Sequence, residues 1–111
     1  MARGRTTTGD TVVEVVLPGY ELRVQGRLDA RNDHALREEI HRAIVLGEGE
    51  LLLHLDAAEI HDATALALIA GAHHRARRAG RRLVIVNPSA RFERVVAAMR
   101  LGKVLERRDT R

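Results

Sequence analysis

Short apolar runs of strand length alternate along this chain with longer segments of helical period, and that alternation constrains the fold more than any other feature. Glu50 to Asp56 is mostly leucine, as expected of a strand covered on both faces, and Arg81 to Val86 is a second such run. Between them Ala63 to Ala79, rich in alanine and leucine, reads as a helix. Upstream, Leu36, Ile40, Ala43 and Ile44 form one stripe of a helix that opens at Asp29 and stops at Gly47 and Gly49. Downstream, Phe92, Val95, Val96 and Met99 trace the stripe of a third helix, ended by Gly102, and Val104-Leu105 is a candidate last edge strand. The chain begins with a hairpin: Thr11 to Leu17 is β-branched and apolar, Pro18-Gly19 signals a tight turn, and Tyr20, Leu22 and Val24 alternate with Glu21, Arg23 and Gln25. The order β-β-α-β-α-β-α predicts an α/β single domain over residues 10–106, a mixed sheet of four to five strands packed against helices, with 1–9 and 107–111 as flexible tails.

At 111 residues the chain has room for one core. Tyr20 and Phe92 are the only aromatic residues, so the core must be aliphatic, and the exposed rings that stack on bases are missing. The absence of cysteine excludes disulfides and thiolate chemistry and fits a reducing, cytoplasmic setting. Met1 to Thr8 carries arginines with no apolar run behind them, unlike a signal peptide, and no stretch reaches membrane-spanning length. The net charge of +4 comes mostly from arginines near the termini and between two elements, so direct binding of nucleic acid is not expected.

Two segments carry a family resemblance. Gly26-Arg27-Leu28-Asp29-Ala30, followed by Leu36-Arg37-Glu38, resembles the Gly-x-Leu-Asp step and first helix of STAS domains, the fold of bacterial anti-sigma factor antagonists. His54-Leu55-Asp56, a short loop and then Asp62-Ala63-Thr64-Ala65-Leu66-Ala67 resembles the family's Asp-Ser-Ser-Gly-Leu-Gly segment. Ala79-Gly80, Leu83 to Val86, and Ser89 through Leu101-Gly102-Lys103-Val104-Leu105 continue in register, so the resemblance spans about Thr11 to Glu106. It implies a non-enzymatic protein-binding domain whose partner is an anti-sigma factor, often a serine kinase, and which influences sigma-factor-dependent transcription. In that family the kinase modifies the hydroxyl residue after the aspartate, and the added charge of about −1.5 to −2 breaks the complex. Here that position is Ala63, which has no hydroxyl. Docking is then the retained behaviour, phosphorylation at the family position is lost, and Thr64 is the only nearby alternative acceptor. The residues expected at the partner surface are Asp29, His61, Asp62, Ala63, Thr64 and Ala65.

Each of these has a plainer role. Asp62 serves as a helix N-cap, Asp29 caps the first helix or ends a loop beside the docking face, and the Thr64 hydroxyl bonds the local backbone. The six histidines lack the i, i+4 pairing that helical zinc sites favour, so no metal or other cofactor is expected; His61, beside Asp62, is the one placed to make binding pH-sensitive. Arg75, Arg77, Arg78, Arg81 and Arg82 read as a solvated cap on the C-terminus of the second helix, with an anion, nucleotide or nucleic-acid site as the alternative. No Gly-rich phosphate loop or nucleophile elbow is present. A scaffold or assembly subunit with no phosphorylation switch, in a sensory complex or lipid-transport machinery, remains beside the antagonist reading.

Overall fold

The structure, a computed structural model, describes residues 4–60 and 63–110. The hairpin forms as its residues dictate: β2 (Thr11–Leu17) pairs antiparallel with β3 (Glu21–Leu28) across Pro18-Gly19. Gly19 takes φ +84°, a backbone region only glycine enters freely, and a Cβ there would lie 3.0 Å from the Gly47 amide nitrogen. The chain then alternates through α1 (His34–Leu46), β4 (Glu50–Ile60), α2 (Ala63–Arg78), β5 (Arg82–Val86), α3 (Ala90–Ala98) and β6 (Glu106–Arg108).

A further strand precedes the hairpin. Gly4–Thr8 pairs antiparallel with β2 from Gly4↔Val15 to Thr8↔Thr11, and is β1. The mixed sheet therefore has six strands in the order β1-β2-β3-β4-β5-β6, where the sequence supports four to five. The ends set apart as tails thus carry ordered pairing: Gly4–Thr8 lies in β1, Arg107 and Arg108 lie in β6, and the Thr110 amide donates to Asn87 Oδ1 at 2.8 Å. Threonines favour extended backbone but show no apolar alternation, so β1 is silent to a hydrophobic pattern.

From β3 onward each crossover returns to the next strand over, in parallel. Right-handed crossovers in one direction put all three helices on the same face of the sheet. The core lies between: Leu51, Leu53 and Leu55 of β4 and Leu83 and Ile85 of β5 meet Leu36 and Ile40 of α1, Leu66 and Ile69 of α2, and Phe92 and Val96 of α3. Glu50–Asp56 is thus helix-covered on one face only. On the other face, Val84 and Val86 are buried yet lie outside the main core cluster. The bidentate pairs Arg82–Glu106 and Arg108–Glu50 span that row, with Arg108 Nη1 and Glu50 Oε1 at 3.1 Å. Long paired side chains cover those valines in place of a second helical layer.

The last strand, expected at Val104-Leu105, lies just beyond them at Glu106–Arg108, and two helix boundaries also differ from the sequence pattern. Helix α1 starts at His34 with Asp33 at its N-cap, four residues after Asp29. Helix α3 stops at Ala98: Met99 is its C-cap and is exposed, and Arg100 turns the chain with φ +58° before Gly102 is reached. The arginine cluster also divides. Arg81 is only 3 % exposed, and its guanidinium donates to the carbonyls of Ala43 at 2.6 Å, Gly19 at 2.7 Å, Glu50 at 3.1 Å and Glu48 at 3.3 Å, while Nε reaches Gly49. It ties the hairpin turn, the end of α1 and the start of β4 together, with Tyr20 stacked 5.5 Å away. Burial lowers its pKa, against the pull of Tyr20 and Glu48. Arg77, Arg78 and Arg82 are exposed, as a solvated cap requires.

Candidate protein-docking site

The C-terminal ends of parallel strands share one edge of a sheet, and the loops that leave them are the usual place for a binding surface. Here β3 and β4 run beyond β5. The β4–β5 register ends at His54↔Val86, whereas β3 and β4 stay paired through Leu28↔Ile60. Residues Gln25 to Leu28 and Ala57 to Ile60 extend the β3–β4 pair beyond the end of β5, and the chain leaves this extension toward α1 on one side and α2 on the other.

A β-bulge makes this extension. Arg23 pairs with His54 but Gln25 pairs with Ala57, so β4 has one residue more than its partner at this point. Leu51, Leu53 and Leu55 face the core, Asp56 and Ala57 are both exposed, and alternation resumes one step out of phase with Ala58 and Ile60 buried. The stretch expected to be a short loop between Asp56 and Asp62 is therefore strand as far as Ile60, because the bulge hides its period. Opposite it, Gly26 takes φ +89°, and a Cβ there would lie 2.1 Å from the Asp10 carbonyl oxygen. The glycine of the Gly-x-Leu-Asp step is thus fixed by close approach of the β1–β2 turn, and buried Thr11 donates its hydroxyl to the Arg27 carbonyl beside it.

Asp29 closes this step without starting a helix. Its Oδ1 accepts from the amides of Arg31 at 2.9 Å and Asn32 at 3.2 Å, and its Oδ2 from Arg27 Nε at 2.9 Å. Burial would raise its pKa, but the Arg31 amide, the Arg27 guanidinium and the Asn32 amide outweigh that and hold the carboxyl below the ordinary aspartate value. Asp29 is buried and its acceptors are used inside its own turn, so it shapes the loop that a partner would meet while Ala30 and Arg31 stand exposed. Capping at α1 falls to Asp33, whose side chain makes no cap bond and instead reaches Arg37 Nη2 at 3.1 Å.

At the head of α2, Ala63 and Thr64 are exposed and Ala65 is fully buried. Ala65 belongs to the inward stripe with Leu66, Ile69, Ala72 and Ala76, so it supports the surface from below and is not part of it. Ala67, one turn on from Ala63, is exposed with them. The Thr64 hydroxyl makes no hydrogen bond among the described residues, unlike the local backbone bond its position suggests. His61 and Asp62, with the N-cap and pH-sensing roles read for them, lie outside the described residues. The fold brings the Ala30–Arg31 loop and the Ala63–Thr64 helix start to the same edge, on neighbouring strands.

A family model for the STAS domain matches residues 11–111. The chain belongs to the STAS domain family. Comparison with curated proteins finds no match. In this STAS domain the residue directly after Asp62 is an alanine, exposed at the first residue of α2. Among the described residues no three His, Asp or Glu side chains group as a metal-ligand set, and no helix is long and apolar enough to cross a membrane.

Proposed function

We propose that this STAS domain is a protein-binding module without chemistry of its own, docking through the Ala30–Arg31 loop and the start of α2 onto an anti-sigma factor or a related regulatory protein. The single observation that carries the reading is the exposure of Ala63 and Thr64 at the first turn of a helix whose remaining face is anchored in the core. An exposed, small-residue helix start on a rigid scaffold lets a partner approach the backbone closely at little ordering cost. Losing one hydroxyl from such a surface costs on the order of 1 kcal/mol, which docking tolerates and a covalent switch does not.

The exposed alanine favours a second reading within the same class, a STAS scaffold or assembly subunit that stays docked because no kinase can release it. One experiment separates the two and tests both. Purified protein is mixed with anti-sigma kinases of the histidine-kinase-like ATPase type and ATP, and complex formation and intact mass are recorded together. A stable complex with unchanged mass supports constitutive docking. An added phosphate on Thr64 means that a displaced switch operates, and failure to bind any such kinase removes the antagonist reading in favour of the scaffold.

A further inference from the structure

The edge of the sheet opposite the docking site holds a cleft of about 410 Å³ between the last turns of α2, the start of β5 and the segment leading into β6. Its polar wall includes His73, Arg77, Arg82 and Lys103, and Leu83 and Leu105 supply an apolar side. The cations differ in what they already do. Arg82 is committed to Glu106 and Glu50. The Arg77 and Lys103 side chains are exposed and make no hydrogen bond or ion pair among the described residues. The negative pole of α2 is muted here, because the amides of Ala79, Gly80 and Arg81 already bond the carbonyls of Arg75, Ala76 and Arg77.

His73 is the second, independent sign. It is 8 % exposed, and its Nδ1 is a buried polar atom with no hydrogen-bond partner among the described residues. Buried polar groups are satisfied in most folded proteins, so an unpaired ring in the lining of the cleft is unusual; the Nδ1 atom itself is closed off from solvent, and a ligand in the cleft meets the ring and not that nitrogen. Burial first, then the like charges of His74 and Arg77, lower the His73 pKa against the pull of Glu106, which keeps the ring neutral near pH 7. An anion beside it would reverse that balance.

We propose that this cleft binds a small phosphate-bearing molecule, with Arg77 and Lys103 on the phosphate oxygens, the His73 ring at the inner end, and the Leu83–Leu105 side against the organic part. Two uncommitted cations match a phosphate dianion, and the volume falls within the range of small-molecule sites. The cleft is remote from the docking edge, so the proposal stands apart from the partner reading.

The test is a titration of the intact protein with glycerol 3-phosphate and with inorganic phosphate, followed by amide and imidazole NMR at constant ionic strength, with sodium chloride as the control. Shift changes are expected at His73, Arg77, Lys103 and Leu105, together with a rise in the His73 pKa and tighter binding of the ester than of inorganic phosphate. Arg77→Ala and Lys103→Ala, both at exposed side chains, should each weaken binding about five- to tenfold while leaving the circular dichroism unchanged. Shifts that chloride reproduces, a His73 pKa that does not move, or a double variant that binds as well as the parent would overturn the assignment. Equal affinity for the two phosphates would overturn the role given to the apolar wall.

Discussion

Replacing Arg81 by alanine should destabilise the domain more than replacing any other arginine in the Arg75–Arg82 cluster. The guanidinium donates to carbonyls of three separate segments, and the bonds to Ala43 at 2.6 Å and Gly19 at 2.7 Å are fully buried. A hydrogen bond to a charged group contributes about 1.5–3 kcal/mol, so removing these two sets a loss of about 3–6 kcal/mol. Water entering the vacated volume restores part of it, which brings the expected value to about 3–5 kcal/mol. Bonds to Gly49, Glu48 and Glu50 sit nearer solvent and add little. With no tryptophan in the chain, urea unfolding followed by far-ultraviolet circular dichroism is the appropriate assay. At a slope of about 1.5 kcal/mol/M, the midpoint should fall by roughly 2 M or more with the slope unchanged. Arg81→Lys should recover only part of the loss, because one ammonium cannot span acceptors on three segments. Arg82→Ala, with its side chain 62 % exposed, is the control. A loss at Arg81→Ala no greater than at Arg82→Ala would refute the reasoning.

Three more outcomes follow from the site. Gly26→Ala should cost at least about 2 kcal/mol, since it combines φ +89° with a Cβ placed 2.1 Å from the Asp10 carbonyl, and thermal unfolding checks it. Asp29 and Glu50 both have depressed pKa values in the folded state; for Glu50 the hydrogen bond from Arg108 is the largest cause. Their stabilisation is therefore complete above the ordinary carboxylate values of 3.8 and 4.5 and is lost as pH falls below them, so the parent's acid-side loss of stability should shrink in Asp29→Asn and Glu50→Gln. Ala63→Ser should be phosphorylated by a cognate anti-sigma kinase where the parent is not, and a variant that binds the kinase yet keeps its mass would show that Ala63 is not the acceptor position.

The helices and the β2–β3 hairpin were legible in the sequence because their apolar stripes hold a single period over enough residues to be seen. What escaped was structure whose determinants are not periodic. Strand β1 is built from arginine and threonine and depends on pairing with β2. The end of β4 crosses a bulge, so Asp56-Ala57-Ala58-Glu59 looks like loop when read alone. Asp29 was visible as a turn or cap residue, but its choice between them rests on the amides of Arg31 and Asn32, which a one-dimensional pattern does not contain. Of the residues expected at a partner surface, Ala63 and Thr64 are exposed, whereas burial of Ala65 follows from which side of α2 meets the sheet. Arg81 escaped for the same reason as many buried cations do: its acceptors are backbone carbonyls, and no carboxylate in the sequence announces them.

The measurement that bears most directly on the docking account is amide hydrogen exchange of this protein, free and bound to an anti-sigma partner, paired with the variant Ala63→Arg. Protection is expected around Ala30–Arg31 and Ala63–Ala67, with binding weakened at least tenfold by the added bulk and charge. Protection confined to the open face of the sheet, or an Ala63→Arg variant that binds as tightly as the parent, would contradict it.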